Sequence, residues 1–275
     1  MHSSSILKQS SKIRSEKNST MKFFLLAFIA SIIFPVYLSA KPELEDLKTG
    51  SPEQQISAMY YFGYTGNKKA FWYMVNNLGK TINGNEESPL AQRVRQAAAE
   101  ALGRIRDERA VPFLIERFGR EKNDRVKRAI LFGLSFYKNP EILPVLKQGL
   151  ESENSEVLNE ALRLAAELGD KNVIPRIKTL SIKENDEIFE LSRAFVLLRL
   201  EDEQDENSKI LIAGLKSKNP LIRFWSANYL SMTARTEAIK EIIKALEIEN
   251  YIWVSREMER SLYLLAEIKR KKESE

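Results

Sequence analysis

The sequence contains no cysteine and a single histidine, His2. Because His2 lies in an N-terminal segment that we expect to be removed, the remaining chain would contain neither residue type. Ser-His-Asp and Cys-His catalytic arrangements are therefore excluded there, as are metal sites built on histidine or thiolate. The 11 glycines are scattered and form no phosphate-binding loop. Acid-base chemistry by carboxylates alone stays open, but we predict a protein that is not an enzyme and carries neither cofactor nor metal.

The positive charge of the chain is concentrated in its first 40 residues. The whole sequence has 43 basic and 38 acidic residues, a formal net charge of +5. Residues 1–40 hold five of the basic residues and one of the acidic residues, so residues 41–275 keep 38 and 37 and a net charge of +1. A domain so close to neutrality gives no electrostatic reason to expect nucleic-acid binding.

An almost wholly apolar run over residues 23–38 lies between a lysine and a pair of small residues. A basic start, a short apolar stretch and small residues at its end are typical of a secretory signal peptide. We therefore expect a signal peptide over about 21–40, with export of the mature chain into the periplasm or out of the cell. The alternative is an uncleaved membrane anchor over 23–40, since the run approaches the length of a membrane span. Translation starts at either Met1 or Met21.

The rest of the chain, residues 41–275, repeats every 31 to 34 residues. An asparagine precedes each later unit, at Asn123, Asn154, Asn185, Asn219 and Asn250. Each unit reads as two amphipathic helices that are too short to be stable alone, so the units must stack. We predict an all-α, single-domain α-solenoid of about six antiparallel helix pairs and a C-terminal capping helix. The predicted units lie near 51–87, 88–122, 123–153, 154–184, 185–218 and 219–249, and the capping helix spans 250–272.

The most regular unit lies between Ser88 and Glu121. Its first helix carries apolar residues at helical spacing over 90–105, and its second begins near Val111-Pro112, where proline is tolerated in a first turn. The run VRQAAAEALGRIRDERAVPFLIERF within this stretch resembles the short HEAT-like repeats of the PBS (bilin) lyase type. The resemblance implies an armadillo-like helical solenoid. It also implies that the first helices form the convex layer and that the second helices line a concave surface holding another macromolecule.

Two groups of residues are candidates for partner binding. If the second helices line the inner face, basic side chains beside their apolar stripes form a ladder along it, namely Arg117, Lys147, Arg176, Lys178, Lys240 and Lys244. Trp72 and Tyr73 lie off the apolar stripe of an unusually aromatic first unit, which is consistent with an exposed binding patch. The alternatives are that the basic residues are an ordinary helix surface and that the aromatic rings thicken the core of a terminal repeat.

The run from Glu201 to Glu206 places five carboxylates in six residues between the two helices of the fifth unit. Calcium binding is one interpretation, but the run lacks the glycine and the alternating ligands of an EF-hand loop. Acidic residues before a helix are also favoured by the helix dipole. We therefore predict no metal site.

Proteins that share similar repeats include a di-iron hydroxylase, enzymes that attach bilins and a DNA glycosylase. The hydroxylase holds its metal through His-Glu pairs, which residues 41–275 cannot supply. We therefore predict a bacterial, exported, non-catalytic HEAT-repeat scaffold that binds another protein through its concave surface and is itself a monomer, with no membrane contact beyond the signal segment. The alternative is an accessory protein that assists a lyase-like modification, and nucleic-acid binding is the least favoured reading.

Overall fold

A computed structural model describes residues 41–180 and 186–274. Fourteen α-helices follow one another in these residues, with one isolated bridge between Ile82 and Asn85. The helices are α1 (Asp46–Thr49), α2 (Pro52–Tyr64), α3 (Phe71–Leu78), α4 (Pro89–Ile105), α5 (Ala110–Arg120), α6 (Asp124–Leu134), α7 (Leu143–Gly149), α8 (Ser155–Leu168), α9 (Ile174–Thr179), α10 (Glu187–Arg199), α11 (Gln204–Gly214), α12 (Pro220–Met232), α13 (Ile239–Glu247) and α14 (Ile252–Ser274). The predicted all-α solenoid is confirmed.

The helices form two layers over one continuous hydrophobic core. The first helices of the units, α2, α4, α6, α8, α10 and α12, pack side by side and end with α14. The second helices, α3, α5, α7, α9, α11 and α13, each pack against the first helix of the following unit. Neither layer could bury its apolar stripe alone, so the stack is the unit of stability.

Asparagine and aspartate side chains set the starts of many helices. Asn123 Oδ1 accepts a hydrogen bond from the Val126 N–H at 3.2 Å, and Asn154 and Asn219 cap α8 and α12 in the same manner. Such caps satisfy N–H groups that have no partner within the helix. Asn185, part of the predicted series, lies outside the described residues, and the N-cap of α10 is its neighbour Asp186.

Short 3₁₀ turns lead into most second helices. Pro144 and Pro175 stand at the second position of α7 and α9, and Pro112 is the third residue of α5. Their missing N–H groups therefore fall in the first turn, where no intrahelical acceptor is lost. Upstream, Asp170 accepts a hydrogen bond from the Asn172 N–H at 3.0 Å and caps one of these turns.

Neighbouring first helices approach each other almost backbone to backbone. A Cβ added to Gly103 would lie 2.6 Å from the Cα of Gly133, and one added to Gly133 would lie 2.5 Å from the Ala99 carbonyl oxygen. The second helices of neighbouring units touch each other far less. Close approach between units is therefore a property of the first-helix layer. The arrangement that the resemblance implies, with the second helices on a concave surface, stays a prediction.

Within residues 41–180 and 186–274, no helix is both long and apolar enough to cross a bilayer. The predicted signal peptide over 21–40, and with it the alternative anchor, lies outside the described residues.

Candidate functional site

A depression lies on the solvent-facing side of the first-helix layer, which we call the first-helix surface. Its volume is about 370 Å³, and it runs across α6, α8, α10 and α12. Every residue that lines it belongs to a first helix or to the cap of one: Arg128, Ser155, Glu156, Asn159, Glu160, Arg163, Asp186, Ile188, Leu191, Ser192, Trp225 and Tyr229. The depression thus belongs entirely to the first-helix layer.

Glu160 is the most buried charge in the depression, with 8% of the residue exposed. Burial raises the pKa of its carboxyl, and this outweighs the opposing effect of Arg163, whose Nε donates to Oε1 at 3.0 Å. The same position of the repeat is occupied by Ala129 in the preceding unit and by Leu191 in the following one. The fold therefore does not require a carboxylate at this position.

Two aromatic side chains form the C-terminal wall of the depression. Trp225 and Tyr229 lie one helical turn apart on α12, with ring centroids separated by 5.4 Å. Tyr229 also stacks on Phe195 of α10, at 4.1 Å between centroids and 15° between planes. Burial raises the pKa of the Tyr229 hydroxyl. The wall is therefore rigid, because its rings are held by each other and by the core.

Arginine and aromatic side chains alternate across the N-terminal half of the first-helix surface. The Arg104 guanidinium lies 4.3 Å from the ring centroid of Tyr64 and 5.1 Å from that of Phe132. Arg163, at the edge of the depression, lies 5.6 Å from the same Phe132 ring. These contacts link four neighbouring first helices, so the surface presents one continuous row of aromatic and guanidinium groups.

One polar atom of the depression has no protein partner. The Oδ1 atom of Asn159 is buried and accepts no hydrogen bond from the described residues. An unpaired buried acceptor costs about 1–3 kcal/mol when no donor reaches it. A donor supplied by water or by a bound molecule would remove this cost.

The basic residues predicted on the second helices lie in the second-helix layer, and most have acceptors of their own. Arg117 has a side chain only 11% exposed and pairs with Glu121 at 2.6 Å. Lys178 pairs with Asp202 and Glu203, each at 2.8 Å. The remaining four are exposed; Lys244 contacts Glu241 at 2.8 Å and Arg176 donates to the Leu150 carbonyl at 3.1 Å, while Lys147 and Lys240 point away from the core. Binding of a partner along this ladder stays a prediction.

The two predicted aromatic residues of the first unit differ in their surroundings. Trp72 is 55% exposed, and its ring meets the edges of Phe71 and Phe113 at centroid distances of 4.9 and 5.9 Å. Tyr73 is half-buried and packs against the core. Trp72 is therefore an exposed ring on the second-helix layer, apart from the depression.

The acidic run does not form one loop between helices, because α11 begins at Gln204 and takes up the second half of the run. Glu201 pairs with Lys171 at 2.8 Å, and Asp202 and Glu203 both pair with Lys178. Lysines thus neutralise these carboxylates. Over the described part of the chain, no group of three or more potential ligand side chains is arranged to hold a metal ion.

Replacing Glu160 by glutamine is expected to raise the free energy of unfolding at pH 7–8 by about 1 kcal/mol, because a buried charge is exchanged for a neutral group of the same shape. The raised pKa means that the folded chain keeps this proton to a higher pH than the unfolded chain does. The contribution of Glu160 to stability is therefore present below the unfolded pKa and lost as the pH rises through the folded one. Urea titrations at pH 5 and pH 8 test this: the advantage of Glu160→Gln should grow with pH, and a pH-independent difference would contradict it.

A family model and one solved structure agree with this fold. A model for HEAT repeats matches residues 43–135. A chain of the complex of CpcE and CpcF of phycocyanin lyase from Nostoc sp. PCC7120 is similar with a TM-score of 0.65 and 18% identity, over 84% of this chain and 95% of that one. Human deoxyhypusine hydroxylase has a TM-score of 0.39 and 17% identity, over 82% and 83% of the two chains. An engineered protein has a TM-score of 0.34 and 19% identity, over 82% and 95%.

A search of curated proteins finds no significant match. The HEAT repeats at 43–135 and the shared two-layer fold agree with the resemblance carried by the run from Val94 to Phe118. Residues 43–135 therefore match HEAT repeats, and the described chain shares its helical-repeat fold with a chain of the phycocyanin lyase complex.

Proposed function

We propose that the protein is an exported, non-catalytic scaffold that binds a protein segment along its first-helix surface. The observation that carries the proposal is the depression, which is shared by four consecutive first helices and walled by Trp225 and Tyr229. Tryptophan, tyrosine and arginine are the side chains most enriched where protein partners bind tightly. The surface also supplies them in a rigid, already assembled arrangement, which lowers the entropic cost of binding.

Site-specific photo-crosslinking tests where the partner binds. A benzophenone amino acid would replace Phe132 or Trp225 on the first-helix surface. As the matched aromatic control, it would replace Trp72 on the second-helix layer. Further probes at Lys147, Arg176 and Lys240 test the basic ladder predicted from the sequence. We expect a discrete protein adduct in cells of the native host from the first-helix positions only. Adducts from the second-helix positions alone would move the interface to the basic ladder, and no adduct from any position would contradict the scaffold.

The export part of the proposal is supported by the apolar run over 23–38 and by the charge balance of the chain without it. Cell fractionation followed by N-terminal sequencing measures both location and cleavage. We expect a periplasmic or secreted protein that begins near Lys41. An intact N-terminus on a protein recovered from the cytosol would refute export, and an intact N-terminus in the membrane fraction would favour the anchor.

A role as an accessory to a lyase-like modification is the second candidate. The observation that favours it is the fold shared with a chain of the phycocyanin lyase complex. Incubation of the purified protein with phycocyanobilin distinguishes the two, because bound bilin has a visible absorption band that co-elutes with the protein. The scaffold proposal expects no such band.

A further inference from the structure

We infer that the depression on the first-helix surface receives a cationic side chain, lysine or arginine, of the bound protein segment. This inference rests on the proposed function, since it names the chemistry by which the scaffold would recognise its partner. It is carried by the arrangement of carboxylates, an unpaired acceptor and aromatic rings around one concave site.

Hydrogen-bond acceptors and carboxylates line the depression. Glu156, Glu160 and Asp186 bring three carboxylates to the depression, against the two guanidiniums of Arg128 and Arg163. Asp186 uses its Oδ1 atom to cap α10, where it accepts from two backbone N–H groups, and keeps its charge and its Oδ2 atom. The contact between Arg128 and Glu156 is long, at 3.8 Å. Arg163 donates to Glu160 through its Nε atom alone. Asn159 adds the buried Oδ1 atom that accepts no hydrogen bond from the described residues. The site therefore has more acceptor capacity and more negative charge than its own donors match.

The placement of Glu160 points the same way. Its neighbours in the repeat series, Ala129 and Leu191, show that small or apolar side chains serve the stack at this position. A carboxylate here gives up hydration on folding and recovers only part of it from Arg163. A cation that enters the depression would restore the lost interaction. Binding a cation would therefore explain the charge at this position, whereas folding does not require one.

The aromatic wall completes the site. Trp225 and Tyr229 line the depression next to these acceptors, and indole and phenol rings attract ammonium and guanidinium groups. The stack of Tyr229 on Phe195, and its contact with the Trp225 ring, hold the wall in place before any ligand binds. A carboxylate, an amide oxygen and an aromatic wall together suit a long side chain with an apolar stem and several N–H donors, which describes lysine and arginine.

Trp225 can report on binding directly. The chain has three tryptophans, so a Trp72→Phe/Trp253→Phe background leaves Trp225 as the single fluorophore. The probes are tetralysine and tetraarginine, with tetra-(N-acetyl-lysine) and tetraglutamate as controls of the same length. We expect the two cationic peptides to quench Trp225 and to bind at least about tenfold more tightly than the acetylated peptide. Equal affinity for the acetylated peptide, or binding of tetraglutamate, would overturn the inference.

The matched variants are Glu160→Gln in the depression and Glu116→Gln on the second helix α5. The Glu116 carboxylate pairs with Arg120 at 2.9 Å. We expect Glu160→Gln to weaken the cationic peptides about tenfold and Glu116→Gln to leave them unchanged. Titration calorimetry on the otherwise unaltered chain gives the same comparison if the double tryptophan variant does not fold. Equal losses in both variants, or no loss in Glu160→Gln, would refute a cation site at Glu160.

The crosslinking experiment separates this inference from the proposed function. A partner adduct at Trp225 or Phe132 that keeps its yield in Glu160→Gln would overturn the cation site and leave the scaffold standing. Peptide selectivity that depends on Glu160, with no adduct at any position, would support the cation site and contradict the scaffold.

Discussion

Replacing Glu121 by glutamine is expected to lower the free energy of unfolding by about 3–5 kcal/mol, the range found when one partner of a buried ion pair is removed. Glu121 lies just after α5 and is 2% exposed at its side chain. Its Oε2 accepts from Arg95 Nε at 2.9 Å and from Arg117 Nη2 at 2.6 Å. Its Oε1 accepts from Arg95 Nη2 and from the N–H groups of Lys122 and Asn123.

The effect is large because Arg95 would be left behind. Its side chain is 1% exposed, and its Nη1 donates to the carbonyls of Lys80 and Glu86. The guanidinium thereby ties the loop before α4 to the end of α5. Glutamine keeps the shape of Glu121 but not its charge, so the buried cation of Arg95 would lose the carboxylate that balances it.

Low pH should reduce the difference in the free energy of unfolding between the wild-type chain and Glu121→Gln. Burial is the largest single effect on the pKa of the Glu121 carboxyl and acts to raise it, but hydrogen bonds from Arg95, the Asn123 N–H and Arg117 together hold the pKa below its usual range. The stabilisation is thus complete above the unfolded value of about 4.3 and is lost as the pH falls through the folded value. Urea titrations at pH 7 and pH 4 measure the gap between the wild-type chain and Glu121→Gln, which should narrow at the lower pH.

Glu116→Gln is the control for this experiment. Its carboxylate is 57% exposed and pairs with Arg120 one turn later on the same helix α5. An exposed pair of this kind contributes about 0–1 kcal/mol. Equal losses from the two variants would show that the Glu121 cluster is no more than a surface ion pair.

The sequence predicted the stacking of the helices but not the Arg95–Glu121 cluster. Apolar spacing assigns each helix a buried face, so the solenoid follows from the pattern. Arg95 and Glu121 are charged residues 26 positions apart, and charge alone places both on the surface. A signal was present, because Arg223 and Glu249 have the same separation and form the same kind of pair, at 2.6 Å, in a later unit. A recurring charge pair at a fixed offset indicates a contact between units.

The close approach of the first helices was not predicted for a related reason. Amphipathic spacing shows which face of a helix is buried and contains no information on how closely neighbouring units approach. That distance depends on side-chain size at the contact, and the first helices carry Gly103 and Gly133 there. Because the candidate binding residues were chosen on the second helices, the depression around Glu160 and Trp225 was missed. Those two residues did stand out in the sequence as a charge and a large ring where neighbouring units have Ala129 and Leu191.

Gly133→Ala is expected to destabilise the protein by about 1–3 kcal/mol, although alanine is the better helix former. Gly133 lies inside α6, where the new Cβ would stand 2.5 Å from the backbone oxygen of Ala99 on α4. A backbone atom cannot rotate away as a side chain can, so α4 and α6 would have to separate. Their separation opens the core of two units at once, and the overpacking cost exceeds the gain in helix propensity.

Gly119→Ala provides the matched control, because it makes the same chemical change in the second-helix layer. Gly119 lies in α5, and a Cβ added there meets nothing within 4 Å. Only the propensity gain remains, so this variant is expected to be more stable than the wild-type chain by about 0.4–1 kcal/mol. Thermal and urea unfolding of both variants should therefore shift in opposite directions. If Gly133→Ala also stabilised the chain, α4 and α6 would not be in backbone contact.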